Sequence, residues 1–173
     1  MRSVFLHRPE AAELRRYSDG RWGKVRVWWP VVFMMVVIAI ESTNTFSSDH
    51  TSGWIRPVVE RFVGHINDRL WGVIHHFMRK SGHFTGYGSL ALTWLRAWLL
   101  TFGSREALTL RGWRWRATWM AVAGTAFVAS MDEWHQTFIP SRTGLFSDVV
   151  LDTIGGAVWC GIVWLVCRWW RKR

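Results

Sequence analysis

Four apolar runs divide the chain: Val27 to Ile40, Gly82 to Phe102, Ala117 to Met131 and Thr153 to Cys167. Each reads as the core of a membrane-spanning helix. Between the first two, the polar turn cluster from Ser47 to Gly53 precedes Pro57, a residue tolerated in the first turn of a helix. Ile55, Val58, Val59, Phe62, Val63, Ile66, Leu70, Val73, Ile74 and Phe77 then recur with helical spacing, while Arg56, Glu60, Arg61, Asp68 and Arg69 take other positions. One amphipathic helix is predicted there, bent at Gly72. Its polar face excludes a spanning role, and it is expected either in the membrane interface, the favoured place, or folded over the polar layer as a lid. A short helix near Glu10 to Arg16 is predicted in an otherwise loosely ordered amino-terminal tail.

The predicted fold is therefore all-α: a polytopic membrane protein, a four-helix transmembrane bundle with an additional amphipathic extracytoplasmic helix. Residues 1–26 form a basic tail, 27–167 the membrane domain and 168–173 a second basic tail. No fixed-period repeat marks a second domain. No apolar segment precedes Val27, so no cleavable signal peptide is expected.

Segment lengths add a constraint. The uncharged core between Arg116 and Asp132 covers only ~22 Å at ~1.5 Å per residue, against ~30 Å of hydrocarbon. The same shortfall holds between Arg26 and Glu41 and between Asp152 and Arg168. Arginine can snorkel to the inner interface, whereas a carboxylate has little reach, so the deficit falls on the outer side. Glu41, His83, Asp132, Glu133 and Asp152 are thus expected at one depth in the outer leaflet. An isolated charge there costs roughly 3 kcal/mol, so these groups should face one another or a wet cavity.

Composition supports the membrane reading: the chain is 50% hydrophobic and contains 15 Trp, many near the ends of the apolar runs. The net charge of +10 raises the question of nucleic acid. Its distribution answers it, because the basic residues gather in the amino-terminal tail, at Arg105 to Arg116 and at Arg168 to Arg173, flanking apolar runs. Nucleic acid is not an expected partner, and both termini are placed on the cytoplasmic side. The only cysteines, Cys160 and Cys167, share the last apolar run and read as packing residues.

The polar residues with candidate chemistry cluster in two stretches. Lys80, His83 and Tyr87 share one helix face. Asp132 and Gln136 repeat that spacing beside Glu133, and so do Asp148 and Asp152, followed by Gly155 and Gly156, where a neighbouring helix can approach closely. Gly82 and Gly86 form a second small-residue pair. Arg142 can make bidentate contacts with Asp132, Glu133 or Asp148, or with a ligand phosphate or carboxylate. The alternative is a purely structural network in which these charges neutralise each other. His83, Glu133, His135, Asp148 and Asp152 are residue types that ligate divalent ions, but no compact ligand motif occurs and no metal or other cofactor is expected. Ser47, Ser48, Ser141 and Ser147 lack a sequence context pairing them with a base. His65, His75 and His76 read as interfacial polar positions.

Two blocks, Lys80 to Leu90 and Asp132 to Gly156, resemble the VanZ-like membrane proteins. Lys80, His83, Phe84 and Tyr87 match the first block of the family pattern, and Asp132, Glu133, Gln136, Phe138, Pro140, Arg142, Asp148 and Gly155 the second. Ser47 and Ser48 are similar to a further Ser-Ser pair, while Asp152 stands where the family commonly has Asn. The resemblance implies a protein of the bacterial cytoplasmic membrane related to low-level resistance to teicoplanin, a lipid-bearing glycopeptide, with no catalytic activity established.

The leading expectation is a non-enzymatic outer-leaflet pocket of Glu41, Ser47, Ser48, Lys80, His83, Tyr87, Asp132, Glu133, Gln136, Arg142, Asp148 and Asp152. Its partners would be membrane lipids, a lipid-linked envelope precursor or a lipoglycopeptide. The alternative is an intramembrane enzyme on a lipid-linked substrate, with Asp132 or Glu133 as general base and His83 as its partner. A transporter is disfavoured, since four short spans leave little room for alternating access; self-association stays open.

Overall fold

A computed structural model describes residues 4–18, 20–43, 47–103, 108–140 and 142–172. Among them the chain is all-α: α1 (Ala11–Ser18), α2 (Gly20–Glu41), α3 (Ser48–Val63), α4 (Asp68–Phe102), α5 (Leu110–Gln136) and α6 (Phe146–Trp170). Trp22–Glu41 of α2 and all of α6 are long and apolar enough to cross a membrane, with mean hydropathies of 1.7 and 1.9. In α4 and α5 the apolar positions are diluted by Gly, Thr, Ser and Trp.

The single amphipathic helix expected over residues 55–77 is instead two pieces. Gly64 caps α3 with φ of 85°, a conformation that L side chains rarely adopt, and its N–H donates to Glu60 O. Asn67 then opens α4, its side chain accepting from Leu70 N at 2.9 Å. Nothing interrupts the next 35 residues, so the expected outer segment and the second span are one helix that passes through Gly72. At ~1.5 Å per residue α4 is about 52 Å long against ~30 Å of hydrocarbon, enough for its first turns to project beyond a bilayer.

α4 is the central helix and packs against α2, α5 and α6. Leu90, Ala91, Leu95 and Leu99 on α4 are fully buried, with Trp113, Ala117 and Ala121 on α5 and Cys160 on α6. The close approach of α4 and α6 depends on glycines that carry no side chain. A Cβ on Gly155 would lie 2.8 Å from Phe84 O, and one on Gly88 only 1.9 Å from the Trp159 ring. Gly82 and Gly86, expected to serve the same purpose, have no neighbour within 4 Å of a built Cβ and border a cavity instead.

Outside this core the apolar residues face outward: Val32, Phe33 and Val36 on α2, Phe127 on α5 and Leu165 on α6 are each about half exposed or more. So broad an apolar surface is unusual for a soluble monomer and suits a lipid boundary. The amino-terminal segment, expected to be loose, is folded onto one end of the bundle. Arg8 donates to Gly103 O and Leu108 O, and Arg114 to Phe5 O and Leu6 O.

Candidate functional site

The long helices alternate in direction, so the carboxyl ends of α2 and α5 meet the amino-terminal half of α4 and the start of α6. There a cavity of about 470 Å³ opens, lined by α2, α3, α4, α5 and the following loop. Ile38, Ile55 and Met78 supply apolar wall, while Glu41, His75, Arg79, His83, Asp132 and Arg142 supply polar groups.

Hydrogen bonds pair residues from the two sequence blocks. Tyr87 donates to Asp132 Oδ2 at 2.9 Å, and Gln136 Nε2 donates to the same oxygen at 3.0 Å. That oxygen therefore holds α4 and the last turn of α5 together. His83 Nδ1 lies 3.3 Å from Asp152 Oδ2. Lys80 forms an ion pair with Asp148, also linking α4 to α6, and does not line the cavity. Glu133, close to His83 and Asp152, accepts from Leu145 N at 2.7 Å through its Oε2, fixing the loop into α6.

Arg142 reaches none of the three acids that the sequence offered as partners. Its Nη2 donates to Glu41 O at 2.8 Å and Thr43 O at 2.9 Å. Those are carbonyls at the end of α2, a helix with no basic residue in its last turn, so the guanidinium supplies a cap and complements the negative end of the helix dipole. Burial holds its pKa below the usual guanidinium value.

Ser47 is buried, with its Oγ 2.9 Å from His50 Nδ1. The side chain of Ser48 and all of Ser141 lie outside the described residues. Of the five residues weighed as metal ligands, His83, Glu133 and Asp152 converge, each offering one ligand atom within 4.8 Å of the others; His135 is exposed and Asp148 is engaged by Lys80.

Sequence reasoning missed His75 and Arg79. With His83 and Tyr87 they form a stripe at four-residue spacing, visible once α4 is known to be continuous. His75, which reads from the sequence as an interfacial polar position, is buried: its Nε2 lies 3.1 Å from Thr51 Oγ1 and its ring stacks on Trp71, whose Nε1 donates to Ser52. These contacts fold α3 back on α4 as one wall of the cavity.

Burial lowers the His75 pKa from its ordinary value, and the charge of Arg79 lowers it further. Because the folded-state value is the lower one, the unfolded chain takes up a proton first as the pH falls. This contribution to stability is full above about pH 6.5 and is lost as the pH falls toward the folded-state value. Acidification from about pH 7.5 to 5.5 should speed backbone hydrogen exchange in α3, after correction for intrinsic rates, and His75→Gln should remove that dependence. Equal pH dependence in wild type and variant would contradict it.

No curated protein and no solved structure matches the chain. The VanZ/LLP1 family model matches residues 27–168, a stretch that takes in the cavity walls and both blocks of polar residues. The chain is thus a membrane protein that belongs to the VanZ/LLP1 family.

Proposed function

We propose that this protein is a multi-pass protein of the bacterial cytoplasmic membrane whose cavity binds the anionic headgroup of an amphiphile. α2, α4, α5 and α6 are its four spans, with the cavity in the outer leaflet and both termini in the cytoplasm. The charge pattern supports that orientation: Arg111, Arg114, Arg116, Arg168, Arg171 and Lys172 gather at the end of the bundle opposite the cavity.

The observation that carries the reading is the composition of the cavity wall, where the cationic Arg79 and Arg142 stand beside apolar Ile38, Ile55 and Met78. A headgroup phosphate or carboxylate suits the first set and an acyl or prenyl chain the second. Arg79 replaces Lys80 as the main headgroup contact, since Arg79 lines the cavity and Lys80 does not. Through its family the protein is related to teicoplanin resistance, and sequestering a lipid-linked envelope precursor or the lipoglycopeptide itself would lower susceptibility to such a drug.

Native mass spectrometry with a polyprenyl phosphate and the matching neutral polyprenol tests this. The phosphate should bind preferentially, and Arg79→Gln should weaken it by about tenfold, the loss of one charge-assisted contact of roughly 1.5 kcal/mol. Equal retention of phosphate and alcohol, or wild-type binding by the folded variant, counts against the proposal. The enzyme reading keeps one supporting observation, the 3.3 Å approach of His83 to Asp152 beside the cavity. It requires turnover of a lipid-linked substrate, and an absence of product by mass spectrometry over a panel of such lipids would count heavily against it.

A further inference from the structure

We propose that His83, Glu133 and Asp152 bind one divalent transition-metal ion, with zinc the best match, tying α4, α5 and α6 together. The three side chains come from three helices, and one ligand atom of each lies within 4.8 Å of the others. Zinc bonds of ~2.1 Å put neighbouring corners of a tetrahedron ~3.4 Å apart. His83 Nδ1 and Asp152 Oδ2 already stand at 3.3 Å. For the widest arrangement allowed by the 4.8 Å limit, an ion at the centre draws each ligand inward by only about 0.7 Å to reach that bond length.

Charge and hydrogen bonding point to the same place. Asp152 is fully buried and Glu133 is 4% exposed. Asp152 Oδ1 and Glu133 Oε1 are buried with no hydrogen-bond partner among the described residues. Neither carboxylate has a Lys or Arg ion-pair partner there: Lys80 is held by Asp148, and Arg142 by the carbonyls of α2. Two buried carboxylates that share a single imidazole as their only side-chain partner are costly, and a divalent ion supplies the missing charge while occupying their open lone pairs.

The imidazole nitrogen and the small ligand number select a borderline ion such as zinc over magnesium or calcium, which take oxygen ligands in larger sets. Three protein ligands leave a fourth position for water or an anion, and His83 also lines the cavity, so the ion site borders it. The ion site and the headgroup cavity are separable, since Arg79 contributes to the second and not to the first.

The test uses the full chain, purified in detergent without a polyhistidine tag, stripped with chelator and dialysed against zinc. The wild type should retain one zinc ion per chain by elemental analysis and melt at a higher temperature with zinc than without. Glu133→Gln and Asp152→Asn should each bind at least about tenfold more weakly, the scale at which even outer-shell partners act, and lose the thermal shift. His135→Ala, on the exposed side of α5, should bind as the wild type does. Both carboxamide variants lower the buried charge and should keep wild-type helical content without metal; His83→Gln gives a third variant if either fails to fold. Zinc retention by the wild type no greater than by Asp152→Asn, or equal loss in His135→Ala, would overturn the site.

Discussion

Gly144→Ala should be about 3 kcal/mol less stable than the wild type and unfold at a markedly lower temperature, although it adds a single methyl group. The reason is what stands opposite. A Cβ at Gly144 would lie 2.2 Å from Glu133 O and 2.7 Å from Thr137 Cγ2. The first is backbone at the end of α5 and cannot swing aside as a long side chain could. Either the last turn of α5 or the loop into α6 must move, and the adjoining bond from Leu145 N to Glu133 Oε2 moves with it. Gly161→Ala, where nothing lies within 4 Å of the new atom, is the matched control and should change stability by no more than about 1 kcal/mol. Unfolding in mixed micelles measures both. A wild-type midpoint for Gly144→Ala would show that the loop does not pack on α5 as described.

That contrast also shows what a sequence can carry. Gly64, Gly72, Gly82, Gly86 and Gly144 look alike as letters, yet Gly64 ends a helix through a positive φ, Gly144 admits a carbonyl, and the other three have open space. The apolar period continues through Gly64 and hides the break between α3 and α4, which depends on the positive φ of Gly64 and the Asn67 cap. The long helices themselves were legible, since their apolar runs leave few alternatives. So was the bundle end that gathers Glu41, His83, Asp132 and Asp152, because helix lengths and the short reach of a carboxylate constrain depth. Partner choice was not legible. Lys80 could have met several acids, and its pairing with Asp148 depends on the rotation of α6 against α4. The stripe of His75, Arg79, His83 and Tyr87 is hidden for a related reason: it exists only on a continuous α4, whereas the sequence pattern divides that helix in two.

Arg142 carries the second large expectation. A sequence shows side-chain acceptors and hides carbonyl ones, so its acidic neighbours drew attention while its partners in the structure are Glu41 O and Thr43 O. Arg142 is 9% exposed and bridges positions about a hundred residues apart in sequence. Two bonds from a charged donor are worth roughly 1.5–3 kcal/mol each, but the backbone of two exposed residues can be partly rehydrated once the donor is gone. Arg142→Ala should therefore lower stability by about 3 kcal/mol and free the carboxyl end of α2 to fray, seen as faster hydrogen exchange near Ile38 to Ser42. Arg142→Lys should recover only part of the loss, because a single ammonium lacks the fixed planar fork. The outcome separates two roles for a residue that also lines the cavity. A capping role moves stability and α2 exchange whether or not amphiphile is present. A role confined to the headgroup would leave both unchanged and weaken polyprenyl phosphate binding alone, and that pattern would refute the cap.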